Sequence, residues 1–123
     1  MSEPAWQIRH ANTILYCRHW QRTVYFYREQ LGLPVQTARH WFVEFRLHDT
    51  ATLSVADEQH ASIKSAGGQG LTLSLKIDDV ETVRAALQAG GLDPTPLKAL
   101  WGSRVFYVFD PEGNRIEFWS EGG

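Results

Sequence analysis

Residues 103–119 of the chain read SRVFYVFDPEGNRIEFW, the pattern of two strands joined by a tight turn. Within the segment DPEGN, Pro111 presets its own φ and Gly113 tolerates a positive φ, so that a chain reversal is favoured. In the strand after the turn, side chains alternate between two faces, and Glu117 lies opposite the apolar Ile116. The stretch predicts a β-hairpin whose last strand presents one carboxylate on its polar face.

The segment before this hairpin predicts a strand, a helix and one further strand. Residues 71–77 alternate between apolar and polar side chains, and residues 80–87 carry an apolar stripe at helical spacing. Asp78, with Glu81 three residues later, resembles a capping box at the start of that helix. With a strand over residues 95–100, the second half of the chain is predicted to have the order βαβββ.

The first half of the chain predicts the same order of elements. Residues 12–17 alternate as a strand does, and an apolar stripe at helical spacing runs from Trp20 to Leu31 before Gly32 ends the helix. Three short segments rich in β-branched or aromatic residues follow, namely residues 34–38, 41–47 and 51–56. The polar, glycine-rich residues 57–70 then separate the two halves.

These patterns predict an α+β fold in one domain, residues 1–123. Two βαβββ modules, at about residues 10–60 and 68–121, are expected to form a curved mixed sheet around a cleft. Each module packs one apolar sheet face on its helix, and the polar faces line the cleft.

Composition excludes several classes of function. The chain has 123 residues, a formal net charge of −2 and 43% hydrophobic residues, which indicates a globular protein without a nucleic-acid interface. It contains no long apolar run typical of a membrane helix, so no membrane partner is expected. The single cysteine, Cys17, cannot form an internal disulfide, and a cytoplasmic location is expected.

Three motifs resemble the vicinal oxygen chelate superfamily, which includes glyoxalases, bleomycin resistance proteins and extradiol dioxygenases. They are the helix end TVYFYREQLGL at residues 23–33, IDDV at residues 77–80, and DPEGN at residues 110–114 followed by Ile116 and Glu117. The resemblance covers about residues 10–120. It implies the fold far more strongly than any one reaction, because a single fold hosts many chemistries.

In members with metal-dependent chemistry, the first and last strands of each module supply the ligands of a divalent ion. The corresponding positions in this sequence are Asn12, Ser54, Thr72 and Glu117. Divalent transition metals favour imidazole and carboxylate ligands, and Glu117 alone offers one. No cofactor is therefore expected. The alternative is a divalent metal ion at a shifted site formed by Glu117, His48 and Glu44.

Glu117 has three interpretations. It is a metal ligand, a general base, or the ion-pair partner of a nearby cation. It is the single candidate for a catalytic residue. Trp101, in a predicted turn, either closes over a flat ligand or packs against a second subunit. His10 is expected to be exposed to solvent. The candidate ligand-binding residues are Tyr16, Glu44, Arg46, Lys76, Trp101, Tyr107, Phe109, Arg115 and Trp119.

The expected function is small-molecule binding in a metal-free cleft, for sequestration, resistance or sensing. The aromatic residues together with Arg46, Lys76 and Arg115 favour a ligand with a planar body and an acidic or polar end. The alternative is a lyase, isomerase or dioxygenase that uses a metal or Glu117, and a pure interaction module is a third possibility. Whether the chain is an enzyme is left open, and the resemblance implies a homodimer.

Overall fold

The computed structural model describes residues 5–122, and it confirms the α+β class with two βαβββ modules. The first module contains β1 (Ala11–Cys17), α1 (Trp20–Tyr25) with a π-helical turn (Phe26–Gln30), β2 (Val35–Arg39), β3 (Phe42–His48) and β4 (Ala51–Asp57). A 3-10 turn (Glu58–His60) follows. The second module contains β5 (Thr72–Lys76), α2 (Val80–Ala89), β6 (Lys98–Leu100), β7 (Ser103–Phe109) and β8 (Arg115–Glu121).

The strands are hydrogen-bonded as two four-stranded mixed sheets, in the orders β1-β4-β3-β2 and β5-β8-β7-β6. In each sheet the first strand of the module pairs in parallel with the last strand. Ile14 pairs with Ser54 in the first sheet, and Ser74 pairs with Glu117 in the second. Ser54 and Glu117 therefore occupy equivalent positions in the two modules, as the repeat in the sequence predicts.

A hydrophobic cluster contains buried side chains of both modules. Phe26, Tyr27 and Phe45 contribute from the first module, and Phe106 and Ile116 contribute from the second. Full burial of a large apolar side chain is worth about 1.5–3 kcal/mol, so these contacts supply much of the driving force for folding. Within residues 5–122, no helix has the length and apolar character needed to span a membrane.

The turn between β7 and β8 is anchored to the first module by buried and partly buried hydrogen bonds. The Tyr27 hydroxyl donates to Asp110 Oδ2 at 2.6 Å. The Glu112 carboxylate accepts from the backbone N–H groups of Arg18 at 2.9 Å and His19 at 2.6 Å, where α1 begins. The DPEGN segment is therefore both a hairpin turn and the connection between the two modules.

The segment between the modules packs closely on the same turn. The Ser65 hydroxyl donates to Glu112 Oε1 at 2.6 Å. Gly68 has φ +83°, and a Cβ built at this position would lie 2.0 Å from the carbonyl oxygen of Gly113. Only glycine permits this approach of two backbones, because every other side chain would overlap the turn.

The capping residue predicted for α2 is wrong. Asp79 caps the helix, since its side chain accepts hydrogen bonds from the backbone N–H groups of Glu81 and Thr82 at 3.1 and 3.2 Å. Asp79 directly precedes the first helical residue, Val80, which is the position from which a short carboxylate reaches the free N–H groups. Asp78 lies one residue too early to do so.

The strand predicted at residues 95–100 is shorter in the structure, where β6 spans only Lys98–Leu100. Pro96 has no backbone N–H to donate to a neighbouring strand. Thr95 still contacts β7, because its N–H donates to the Tyr107 carbonyl and its hydroxyl accepts from the Tyr107 N–H. An isolated contact of this kind does not extend the strand.

Candidate functional site

An open pocket of about 370 Å³ lies on the face of the second sheet that is opposite the hydrophobic core. It combines two indole rings, two serine hydroxyls, two aliphatic side chains and one carboxylate. The lining residues are Ser74, Leu100, Trp101, Ser103, Val105, Glu117 and Trp119.

Strand alternation places the carboxylate of the pocket. In β8, Ile116 and Phe118 are buried in the core, and so Glu117 and Trp119 point to the opposite face. Ser74, on the neighbouring β5, donates its hydroxyl to Glu117 Oε1 at 2.5 Å. Among residues 5–122, Glu117 forms no ion pair with a lysine, arginine or histidine. The carboxylate therefore faces the pocket with a hydroxyl as its protein partner.

The two-residue turn between β6 and β7 presents Trp101 to solvent. Leu100 pairs with Ser103, and the intervening Trp101 and Gly102 have φ of +50° and +76°. Positive φ at both central residues is the geometry of a type I′ hairpin, which matches the twist of the strands. A bulky residue rarely adopts it. The Trp101 side chain is 94% exposed and lies at the rim of the pocket.

Cations near the pocket are engaged by other groups. Lys76 Nζ lies 5.3 Å from the ring centre of Trp119 and 3.0 Å from Glu121 Oε1. Arg115 lies over the ring of Tyr107, with its Cζ 4.6 Å from the ring centre. Such stacking on an aromatic face is favourable for a cation. Within the described residues 5–122, Glu117 is the only charged residue that lines the pocket.

The structure gathers three of the predicted site residues, Trp101, Glu117 and Trp119, into this pocket. Lys76 lies beside it, over Trp119. The remaining predicted residues line other surfaces: Phe109 and Arg115 border a depression near Gly68, Tyr107 lies beneath Lys98 and Arg115, Tyr16 borders the inter-module segment, and Glu44 and Arg46 belong to the first sheet.

Four pocket residues were absent from the sequence-based set: Ser74, Leu100, Ser103 and Val105. Alternation was a usable signal for Ser74 and Val105, since these residues share a face with Glu117 and Trp119 once the strand register is known. Leu100 and Ser103 join the pocket through the turn geometry, for which the sequence provides a weaker signal.

Five polar side chains form a hydrogen-bonded cluster on the corresponding face of the first sheet. The Ser54 hydroxyl donates to Asn12 Oδ1 at 2.8 Å, and Thr52 Oγ1 lies 2.9 Å from both Asn12 Oδ1 and Glu44 Oε2. His10 Nε2 lies 2.7 Å from Thr52 Oγ1. The His10 side chain is 40% exposed, as expected, and it also makes this specific contact. The contact was not predicted because His10 lies outside the predicted strand.

The structure does not bring Glu117, His48 and Glu44 together. The register between β3 and β4 shifts after Arg46, and His48 pairs with Ala51. This bulge interrupts the strict alternation that the sequence-based assignment of His48 to the face of Glu44 relied on. Glu117 belongs to the other sheet. Among residues 5–122, no three histidine, cysteine, aspartate or glutamate side chains are grouped closely enough to hold a metal ion.

At the four positions that the resemblance assigns to metal ligands, the side chains present fit a divalent transition metal poorly. The Asn12 amide oxygen accepts the Ser54 hydroxyl, and the Thr72 hydroxyl accepts from Arg115 Nε at 3.0 Å. Neutral oxygens of this kind are weak ligands for transition metals compared with imidazole and carboxylate groups. Glu117 is the one strong donor in the set.

Cys17 has no nucleophilic character. Its side chain is fully buried, and burial together with the nearby carboxylates of Glu112 and Asp110 raises its thiol pKa from 9.0 to about 12. Because the thiolate is the reactive form, the thiol is inert at neutral pH. Cys17 therefore serves as a small core residue.

Comparison with known proteins identifies similar chains. A family model described as Glyoxalase/Bleomycin resistance protein/Dioxygenase superfamily matches residues 7–118. No curated protein matches the sequence. Among solved structures, a glyoxalase/bleomycin resistance protein/dioxygenase from Nocardioides is 18% identical with a TM-score of 0.78, over 99% of this chain and 86% of that chain.

Two further solved structures are similar over nearly their full lengths. A lactoylglutathione lyase from Agrobacterium tumefaciens is 24% identical with a TM-score of 0.75, over 96% of this chain and 95% of that chain. A glyoxalase family protein from Enterococcus faecalis is 26% identical with a TM-score of 0.68, over 92% of this chain and 96% of that chain. At the identity of the Agrobacterium protein, the likeness shows the fold alone.

Proposed function

This chain belongs to the glyoxalase/bleomycin resistance protein/dioxygenase superfamily, and we propose that it binds a small organic molecule in the pocket of the second module, without a resident metal ion. Its role is then sequestration, resistance or sensing. This proposal is preferred over metal-dependent catalysis because the four ligand positions of the family contain one strong donor, Glu117.

The observation that carries the proposal is one pocket with Trp101, Trp119 and Glu117 in its wall. Its volume of about 370 Å³ is in the range of small-molecule sites, which run from roughly 300 to 1,000 Å³. Indole rings supply flat apolar surface, and a few polar groups supply orientation. The arrangement suits one planar molecule better than a long polymer.

Metal content tests the proposal that the pocket has no resident metal ion. Tag-free protein incubated with iron, manganese, nickel or zinc salts and then desalted is expected to retain far less than one ion per chain. Elemental mass spectrometry measures the ratio, with Glu117→Ala as the comparison. Near-stoichiometric metal in the native protein that is lost in Glu117→Ala would refute a metal-free pocket.

Ligand binding tests the proposal that the pocket binds a small organic molecule. In a screen of planar small molecules by ¹H–¹⁵N NMR, ligands are expected to shift the indole N–H signals of Trp101 and Trp119 while leaving that of Trp20 unchanged. Trp20 serves as the internal control because its indole N–H donates to the Val55 carbonyl, away from the pocket. Hits that shift only signals outside the pocket would contradict the proposal.

The alternative is an enzyme in which Glu117 acts as a general base without a metal. The observation in its favour is that Glu117 faces the pocket, paired with the Ser74 hydroxyl and, among residues 5–122, with no lysine, arginine or histidine. If a reaction is found, Glu117→Gln should abolish turnover while the fold is retained. Retained turnover in that variant would remove Glu117 from the chemistry.

We also propose that the protein is a homodimer. Large apolar side chains on the strands are exposed away from the pocket, among them Phe109 at 55% and Ile14 at 39%. Pairing two chains would cover this surface, since exposed apolar area favours association. Light scattering at several concentrations checks the assembly, and a monomer at every concentration would contradict it.

A cytoplasmic location is proposed because Cys17 is a buried free thiol.

A further inference from the structure

The negative charge in the pocket is not neutralised by a positively charged lining residue in the described part of the chain. Glu117 carries the only charge among the lining residues, beside the neutral Ser74 and Ser103. Its carboxylate accepts the Ser74 hydroxyl at Oε1, and two carboxylate oxygens can accept about four hydrogen bonds in total. Accepting capacity therefore remains on the side that faces the pocket.

Three cations of this sheet, Lys76, Lys98 and Arg115, already stack on aromatic rings. Lys76 combines an ion pair with Glu121 and a stacked position over Trp119. Arg115 combines a hydrogen bond to Thr72 with a stacked position over Tyr107. Among residues 5–122, neither side chain forms an ion pair with Glu117.

We infer that the pocket selects a ligand with a flat apolar body and a positively charged nitrogen, such as an ammonium, amidinium or guanidinium group. The inference rests on the proposed function, and it specifies the ligand class for the same pocket. It reverses the expectation of an acidic ligand. That expectation assigned Arg46, Lys76 and Arg115 to the ligand, whereas none of these residues lines the pocket.

Two physical interactions favour the cation. A positive nitrogen near Glu117 forms a charge-assisted hydrogen bond, which is shorter and stronger than a neutral one. The flat body covers the rings of Trp101 and Trp119, and a cation gains further from the negative face of an indole. Because the pocket is open to solvent, we expect a selectivity of about tenfold rather than several thousandfold.

Three probes of nearly equal shape test the inference: 2-naphthylmethylamine, 2-naphthylmethanol and 2-naphthoate. Each is titrated into the full-length chain at pH 7 and followed by the indole N–H signals of Trp101 and Trp119. The amine is expected to bind about tenfold tighter than the alcohol, and the carboxylate is expected to bind weakest. In Glu117→Gln, the affinity for the amine should fall to that for the alcohol.

Two variants control for charge and for folding. Glu29→Gln changes the net charge by the same amount, and Glu29 is exposed and paired with Arg28 in the other module, so the preference for the amine should persist. Glu117→Asp keeps the carboxylate and should keep the preference for the amine over the alcohol. The NMR spectrum of each variant reports whether it is folded.

The outcomes separate the inference from the proposed function. If all three probes shift Trp101 and Trp119 with equal affinity, or if the carboxylate binds best, the pocket stands and the cation preference is overturned. If no probe shifts either indole signal at millimolar concentration, the proposed pocket is overturned as well. An unchanged amine preference in Glu117→Gln would show that the preference has another source.

Discussion

At the scale of single residues, Glu112 joins three segments that are far apart in the sequence. Its carboxylate accepts hydrogen bonds from the N–H groups of Arg18 and His19 and from the Ser65 hydroxyl. Burial alone raises the pKa of Glu112, but these three hydrogen bonds outweigh it and hold the pKa below its ordinary value of 4.5. The charged form is therefore favoured by the folded state.

Replacing Glu112 should reveal this contribution and its pH dependence. Glu112→Gln is expected to lower the free energy of unfolding at pH 7 by about 1–3 kcal/mol, since a charge-assisted acceptor of partly buried hydrogen bonds is lost. Because the folded-state pKa lies below the unfolded value, the contribution is complete above about pH 4.5 and disappears as the pH falls through the folded-state pKa.

Urea denaturation of the native protein and the variant from pH 7 to pH 3 measures the difference. It should shrink in acid. A difference that stays constant down to pH 3 would show that the Glu112 charge does not contribute. Glu29→Gln is the matched control, with an expected change below about 0.5 kcal/mol because Glu29 belongs to an exposed ion pair.

At the scale of single elements, the start of α2 depends on one of two adjacent aspartates. Asp79→Ala should destabilise the protein, because two N–H groups of the first turn lose their side-chain acceptor. Asp78→Ala removes the same charge without removing the cap and should change stability by less than half as much. Thermal or urea unfolding of both variants checks this, and equal effects would contradict the assignment.

The contact between the inter-module segment and the β7–β8 turn makes a second prediction at this scale. Gly68→Ala and Gly70→Ala both place alanine at a positive φ, of +83° and +76°, which costs about 1–2 kcal/mol. A Cβ at position 68 would overlap the Gly113 carbonyl, whereas a Cβ at position 70 would have no atom within 4 Å.

Gly68→Ala should therefore lose a further 1–3 kcal/mol or so relative to Gly70→Ala, from overlap with the turn. The free energies of unfolding, measured in urea for the two variants side by side, give the difference. Equal stability of the two variants would mean that the segment moves away from the turn at little cost.

At the scale of the whole molecule, the shared core and the anchored turn predict cooperative unfolding. Phe45 and Phe106 come from different modules and belong to one hydrophobic cluster, and Tyr27 reaches across to Asp110. Neither module should unfold without exposing the other. Tryptophan fluorescence and far-UV circular dichroism are expected to give one coincident transition in urea, and Glu112→Gln should move both curves together. Two separated transitions would contradict this.

The sequence predicted the fold better than it predicted the residues of the pocket. The strand and helix order was predictable because local alternation and helical stripes report it, and the hairpin at residues 103–119 was recognised from Pro111 and Gly113. Errors arose where one residue decides the outcome, as with Asp79 and Pro96. The bulge before His48 was missed because no local signal marks the register between two strands.

The sequence by itself determined the order of elements, the face of each strand that is polar, and the family, because these depend on spacing along the chain. Only the tertiary structure decided which partner each polar side chain has. Lys76 meets Glu121 rather than Glu117, and the two partners are 45 residues apart in sequence. Alternation sets the face of a long side chain, but strand register and competing neighbours on that face select its partner, and this selection pairs Glu117 with the Ser74 hydroxyl.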